Sequence, residues 1–92
     1  MSYCRTTLFE YQTEEDANEL FVQYQANAPK NFPDAEVLLC TRTGPKTAIM
    51  TSLYASKEKA DLAMAARKPL LDDVKAKIKN IDTHEGEASQ LR

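Results

Sequence analysis

A few residues have side chains able to do chemistry on a small molecule. His84 is the only histidine in the sequence and the one side chain that titrates near neutral pH, so it is the candidate general base. Arg42 and Arg5 could stabilise a developing enolate or a carboxylate. Tyr54 and Cys4 add an aromatic ring with a polar end and a thiol. We predict His84 and Arg42 as catalytic residues, and Tyr54, Arg5 and Cys4 as binding residues.

Each candidate also has a purely structural explanation. A lone histidine between Asp82 and Glu85 on an edge strand is more typical of a surface or interface position than of a catalytic one, by about three to one. Cys4 would serve as a small buried hydrophobe. The four tyrosines would fill the core with one polar end in water. These are Tyr3, Tyr11, Tyr24 and Tyr54.

Several kinds of site are excluded by residue counts. With only Gly44 and Gly86, the chain has neither a Walker loop nor a dinucleotide-binding glycine fingerprint. One histidine and two separated cysteines rule out the usual zinc sets and an HExxH helix. The acidic residues cluster in first helical turns and on polar stripes, where capping and solubility explain them. The sequence therefore predicts no cofactor and no metal.

Length and charge narrow the class of protein. The 92 residues form one predicted domain, residues 1–92. A domain of this size buries only about 60–65% of its unfolded surface, so a partner chain is a simple source of further burial. A net charge of −2 gives no excess of positive charge with which to bind nucleic acid. No run of consecutive apolar residues approaches the length of a membrane-spanning helix. We expect a cytoplasmic protein with reduced thiols, because Cys4 and Cys40 are too few for a disulfide framework.

The candidates must be positioned by six predicted elements in the order β-α-β-β-α-β. Strands are predicted over residues 3–11, 36–42, 46–55 and 80–87, the last as a polar edge strand. Apolar periodicity predicts a first helix capped by Thr13 and stopped by Pro29 and Pro33. A second helix is predicted over residues 57–79 with Ser56 as its cap. Pro69 inside it predicts a kink near residues 67–68, or a restart with Pro69 in the first turn.

The two middle strands form a hairpin around Gly44 and Pro45, and both of its faces are apolar. If the loop holds an even number of residues, Leu38 and Cys40 share a face with Ile49, Thr51 and Leu53. One residue more or fewer gives the other register, which pairs them with Met50 and Tyr54. Both registers require cover on both sides of the sheet. The helices supply one cover, and we predict that a second copy supplies the other through the bare face, burying more than ~1,000 Å².

In a sheet with strand order 4-1-3-2, strand spacing limits which candidates can meet. The second and fourth strands lie about 14 Å apart, so Cys40 cannot partner His84. The first and fourth strands are antiparallel neighbours, which leaves a Cys4–His84 dyad open. Cys4 and Cys40 lie about 10 Å apart, beyond the reach of a disulfide.

The whole chain resembles the dimeric α/β-barrel superfamily, which includes antibiotic-biosynthesis-type monooxygenases and stress-responsive barrel proteins. The resemblance lies in element order, length, the second helix from Ala60 to Ile78 through Pro69, and the ending His84-Glu85-Gly86-Glu87. It implies a ferredoxin-like α+β fold, a four-stranded antiparallel sheet with both helices on one face, and a homodimer with ligand clefts between sheet and helices. The haem-degrading members of this superfamily resemble one another in a set of Asn, Trp and His. This chain has no tryptophan and no histidine on either predicted helix, so the resemblance does not extend to haem degradation.

Two functions follow as expectations. The first is a cofactor-independent monooxygenase or isomerase acting on a hydrophobic, aromatic metabolite. The alternative is a non-catalytic dimeric barrel that binds a small molecule or responds to stress. A pocket larger than ~300 Å³ with His84, Tyr54 or Arg42 pointing into it would favour the first.

Overall fold

The strands and helices follow one another in the predicted order in a computed structural model, which describes residues 2–92. All four strands pair antiparallel in the order β2-β3-β1-β4. This is the predicted ferredoxin-like α+β fold. The elements are β1 Ser2–Tyr11, α1 Glu14–Asn31, β2 Ala35–Gly44, β3 Thr47–Tyr54, α2 Lys57–Val74, a 3-10 turn Lys75–Lys77 and β4 Ile78–Ala88.

Both helices begin at the predicted caps. The Thr13 hydroxyl accepts a hydrogen bond from the backbone N–H of Asp16 at 3.0 Å, and Ser56 accepts one from Lys59 at 3.3 Å. Three acidic residues in the first turn of α1 add favourable charge at the positive end of the helix. Within residues 2–92, neither helix is long and apolar enough to cross a bilayer.

A proline inside a helix does not end it here, which corrects the prediction for Pro29 and decides between the two alternatives for Pro69, whereas Pro33 directly follows the C-cap of α1. Pro29 lies inside α1, and the helix continues to Asn31 before the N–H of Phe32 bonds the carbonyl of Ala28 at 2.9 Å. Helix α2 runs unbroken through Pro69, so the predicted restart is wrong, and it ends at Val74 instead of residue 79. A proline removes one hydrogen bond, and the packing of the helices on the sheet outweighs that loss. The kink stays a prediction.

The hairpin adopts the odd-numbered register. Cys40 lies opposite Met50, Leu38 opposite Ser52 and Leu39 opposite Thr51. The cause is a bulge in β2 between Arg42 and Gly44, so that residues 43–47 separate the paired Arg42 and Ala48.

One face of the sheet carries both helices. Its strand residues pack with small and apolar residues of α1 and α2 in the buried clusters. The other face, called the open face below, leaves Leu8 40%, Val37 38% and Leu39 55% exposed. By strand alternation and pairing, the open face comprises Cys4, Thr6, Leu8, Val37, Leu39, Ile49, Thr51, Leu53 and His84.

Candidate functional site

A cavity of about 280 Å³ lies between the sheet and the two helices. Strands β1 and β3 form its floor, and α1 and α2 form its sides. Most of the exposed area of its wall is apolar, and besides the residues named below the wall contains Gln23, Asn27, Asn31, Ser52 and Asp73. The principal wall residues are Arg5, Thr7, Phe9, Tyr11, Leu20, Tyr24, Ala28, Phe32, Met50, Tyr54, Ala63, Arg67, Leu70, Leu71 and Val74.

Aromatic rings dominate the floor of the cavity. Phe9 and Tyr11, two residues apart on β1, stack with ring centroids 5.9 Å apart and planes 6° from parallel. Burial raises the pKa of Tyr11 and of Tyr24 to about 12, so both phenols stay protonated at neutral pH. They therefore act as neutral hydrogen-bonding groups on an otherwise apolar surface.

Arg5 brings a buried cation to one end of this wall. Its side chain lies on β1 and its residue is 3% exposed. Nε donates to Glu85 Oε2 at 2.8 Å, and Nη1 donates to the carbonyl of Ala60 on α2 at 2.9 Å. The guanidinium also lies 6.0 Å from the centre of the Tyr54 ring. Because Arg5 donates this hydrogen bond, the pKa of Glu85 is lowered, and the pair stays charged at neutral pH.

Arg67, on α2, is a second cation in the same wall. Its Nη1 donates to the Thr7 hydroxyl at 2.8 Å and its Nη2 to the Thr83 hydroxyl at 3.3 Å. Its Nε is buried and has no hydrogen-bond partner within residues 2–92. Burial, and then the nearby charge of Arg5, lower the pKa of Arg67. Arg67 is therefore held by neutral acceptors, whereas Arg5 is held by a carboxylate.

The structure brings two of the predicted site residues to the cavity, Arg5 and Tyr54. Arg42 lies at the hairpin end of the sheet and does not line it. Its guanidinium donates to the carbonyls of Gly44 at 2.8 Å and Pro45 at 2.7 Å, and lies 5.8 Å from the centre of the Phe21 ring. In this position it closes the hairpin loop.

His84 and Cys4 lie on the open face, away from the cavity. The register of β4 on β1 places Glu85 beside Arg5 and Thr83 beside Thr7, so the residue between them faces the other way. His84 has its Nε2 3.2 Å from Asp82 Oδ2, and its side chain is 67% exposed. Cys4 is opposite Gly86, and His84 is opposite Thr6. Cys4 and His84, which the sequence analysis left as a possible dyad, therefore lie on the same face of the sheet.

The cysteines lie on opposite faces of the sheet. Cys40 is on the helix side, with its sulfur 3.1 Å from that of Met50. Burial raises the pKa of the Cys40 thiol to about 11, so it remains a thiol at neutral pH. The strand order that separates Cys40 from His84 is the predicted one.

Sequence reasoning missed Arg67 and Asp73 as wall residues. The signal for Arg67 was present, because it falls at helical spacing among Ala63, Leu70 and Val74 on the apolar stripe of α2. A cation on a buried face must find compensating contacts, so such a position indicates a site or an ion pair. Asp73 had no comparable signal, since it is exposed beside Asp72.

Solved structures of other proteins share this fold along almost the whole chain. A provisionally assigned antibiotic biosynthesis monooxygenase from Caulobacter crescentus CB15 superposes with a TM-score of 0.76 at 15% identity, covering 97% of this chain and 91% of the other. SnoaB, a cofactor-independent oxygenase from Streptomyces nogalater, gives 0.71 at 16% identity, covering 97% and 94%. A dimeric ferredoxin-like protein from an uncultured marine organism gives 0.73 at 12% identity, covering 99% and 92%.

No protein-family model and no curated protein matches the sequence. At these low identities the structural likeness shows the fold. The predicted resemblance to antibiotic-biosynthesis-monooxygenase-like ferredoxin folds is confirmed at that level.

Proposed function

We propose that this protein is a homodimer that binds a hydrophobic, aromatic small molecule in the cavity and oxidises it as a cofactor-independent oxygenase. The observation that carries the proposal is the cavity itself. A core built only for stability is packed to a density with few voids, yet this one leaves about 280 Å³ open beside stacked rings. That volume lies just below the usual range of ligand pockets, about 300–1,000 Å³, and suits a compact ligand.

The reaction needs no bound cofactor when the substrate itself supplies the electrons. A methylene group loses one proton, the resulting carbanion reduces dioxygen to a peroxide, and the proton returns to the peroxide. Loss of water together with the second methylene hydrogen leaves a carbonyl, so that CH2 and O2 become C=O and H2O. Arg5 would stabilise the enolate form of the carbanion, because hydrogen-bond donors fixed beside a developing negative charge favour it. Asp73 lines the cavity and is the proposed proton acceptor. The fold shared with SnoaB supports this reaction class.

The proposed site therefore contains Arg5, Tyr54, Arg67 and Asp73. His84, Cys4 and Arg42 have no part in it, because none of them lines the cavity.

A non-catalytic binding protein is the second candidate, favoured by the scarcity of proton acceptors. Apart from Asp73, the ionisable wall residues are arginines and tyrosines. The two tyrosines with pKa values of about 12 are poor acid–base groups at neutral pH. Such a wall can bind a ligand without turning it over.

A tryptophan reporter tests binding in the cavity. The chain has no tryptophan, so Leu70→Trp places a single fluorophore in the wall. Leu62→Trp is the matched control, since Leu62 is 62% exposed on the same helix and does not line the cavity. We expect two- and three-ring phenols to quench the tryptophan at 70 saturably at micromolar concentration, and the one at 62 hardly at all. Equal responses at both positions, or none at millimolar concentration, would contradict binding in the cavity.

Dioxygen uptake separates the two functions. With phenols that carry an acidic C–H, the oxygenase should consume dioxygen, and Asp73→Asn should lower kcat with little change in the binding measured by the reporter. Tight binding without dioxygen uptake across the panel would assign the non-catalytic function instead.

A further inference from the structure

We infer that the cavity selects an aromatic molecule carrying a carboxylate, which binds Arg67. This rests on the proposed function, because it names the class of ligand for the same cavity. It adds an anion-binding end to the aromatic wall.

The first support is the balance of charge in the wall. Both arginines border the cavity, and Glu85 is the one carboxylate that either of them bonds within residues 2–92. Glu85 is committed to Arg5 at 2.8 Å, with the Tyr3 hydroxyl donating to its other oxygen at 3.2 Å. This leaves the charge of Arg67 without an anion in contact.

Asp73 does not supply that anion. It is exposed and lies six residues after Arg67 on the same helix, about 9 Å further along the axis. Within residues 2–92 it forms no salt bridge with either arginine.

The second support is the buried Nε–H of Arg67. A buried donor without an acceptor is unfavourable, and folded proteins rarely leave one. The two N–H groups of Arg67 that do have partners donate to threonine hydroxyls, which carry no charge. Arg67 lines the cavity, and each of its terminal nitrogens keeps one further N–H that a carboxylate there can accept, whereas Nε is reached only when the side chains that cover it shift.

The third support is the shape of the remaining wall. The stacked pair Phe9 and Tyr11, with Tyr24 from α1, gives an aromatic ring system a place to lie. Arginine at one end and rings along the floor together complement a molecule that is apolar along its body and negative at one end. A neutral polyaromatic molecule would fill the same volume and leave the Arg67 donor unpaired.

Two isosteric probes test the inference. 2-Naphthoate and 2-naphthamide have nearly the same size and shape and differ in charge, so calorimetry with both isolates the contribution of the carboxylate. We expect the native chain to bind the naphthoate about 10–100-fold more tightly, the range for hydrogen bonds to a charged group. Arg67→Gln should remove most of this preference while binding of the naphthamide changes little, and Arg67→Lys should keep part of it.

Lys68→Gln is the matched control, because Lys68 is an exposed neighbour on the same helix and does not line the cavity. Lys68→Gln removes one positive charge, as Arg67→Gln does, and should leave the preference for the naphthoate over the naphthamide intact. Equal loss in both variants would assign the effect to overall charge and overturn the inference.

The native chain alone also tests the carboxylate preference, in case circular dichroism shows that a variant is unfolded. Equal affinity for the two probes would overturn the inference and leave the proposed function standing. No binding of either probe at millimolar concentration, together with no response of the tryptophan at 70, would reject the binding cavity as well. A tight, salt-sensitive preference for the naphthoate would support both.

Discussion

Glu85 holds a buried guanidinium in place, and its removal should be felt in the stability of the fold. The Arg5 side chain is 4% exposed and that of Glu85 is 31% exposed. Glu85→Gln leaves Arg5 buried without its counterion, so we expect the free energy of unfolding at pH 7 to fall by about 1–2 kcal/mol, a value reduced for the solvent around the carboxylate. Urea denaturation followed by circular dichroism measures the change.

The same pair gives a pH dependence with a definite sign. The folded-state pKa of Glu85 is lowered, so its stabilisation is present above the unfolded pKa and is lost as pH falls through the folded pKa. The difference between the native chain and Glu85→Gln should therefore shrink below about pH 4. Glu87→Gln, two residues along the same strand face, has no ion pair within residues 2–92 and should have little effect. A difference as large at pH 3 as at pH 7 would contradict the role of this ion pair.

Single residues also show how far the sequence could locate the site. Arg5 and Tyr54 were predicted as binding residues, and both line the cavity. Histidine chemistry led to His84, yet the side a strand residue faces depends on register, and β4 pairs with β1 so that His84 is on the open face. The residue type identified His84 as a group able to do acid–base chemistry. The face of the sheet on which it lies depends on the pairing of β4 with β1, which the polar sequence of β4 does not specify.

Among the elements, the hairpin between β2 and β3 shows a different limit. Its existence followed from two runs of β-forming residues around Gly44 and Pro45. Its register did not, since both faces are apolar and alternation therefore cannot choose between the two pairings. The choice is made by the bulge at residue 43, which depends on local backbone geometry. The ends of the helices show the same contrast. The N-caps Thr13 and Ser56 were predicted from the sequence, whereas the continuation of the helices through Pro29 and Pro69 was not, because it depends on tertiary packing.

A glycine at position 44 suits the tight end of this hairpin. A Cβ built there lies 2.8 Å from the Thr47 hydroxyl, which is itself hydrogen-bonded to the Thr43 hydroxyl at 2.8 Å. Gly44→Ala must displace the Thr47 side chain and break that hydrogen bond, so we expect a loss of about 1 kcal/mol in the free energy of unfolding. In a Thr47→Ala background the obstruction is absent, and the same change should cost clearly less. Equal costs in the two backgrounds, measured by urea denaturation as a double-mutant cycle, would show that the hydroxyl is not the cause.

For the molecule as a whole, the open face is the feature that the isolated chain leaves unexplained. The helices cover one side of the sheet, and Leu8, Val37 and Leu39 remain partly exposed on the other. Complete burial of a large apolar side chain contributes about 1.5–3 kcal/mol, and each of these partly exposed side chains would contribute a share of that in both copies, which together offsets the cost of association. Twofold symmetry lets the same patch serve both copies.

Ile49 lies opposite Leu8 on the two central strands, so a charge at Ile49 would be buried in such a dimer. Light scattering at micromolar concentration should give twice 10.4 kDa for the native chain and 10.4 kDa for Ile49→Asp, because an unpaired buried carboxylate costs more than the contact provides. Leu62→Asp, at an exposed leucine on α2, should remain dimeric. If Ile49→Asp is insoluble, Leu39→Lys at the exposed edge strand makes the same measurement. A native chain of 10.4 kDa, or equal dissociation of the Leu62 control, would refute the open face as the dimer interface.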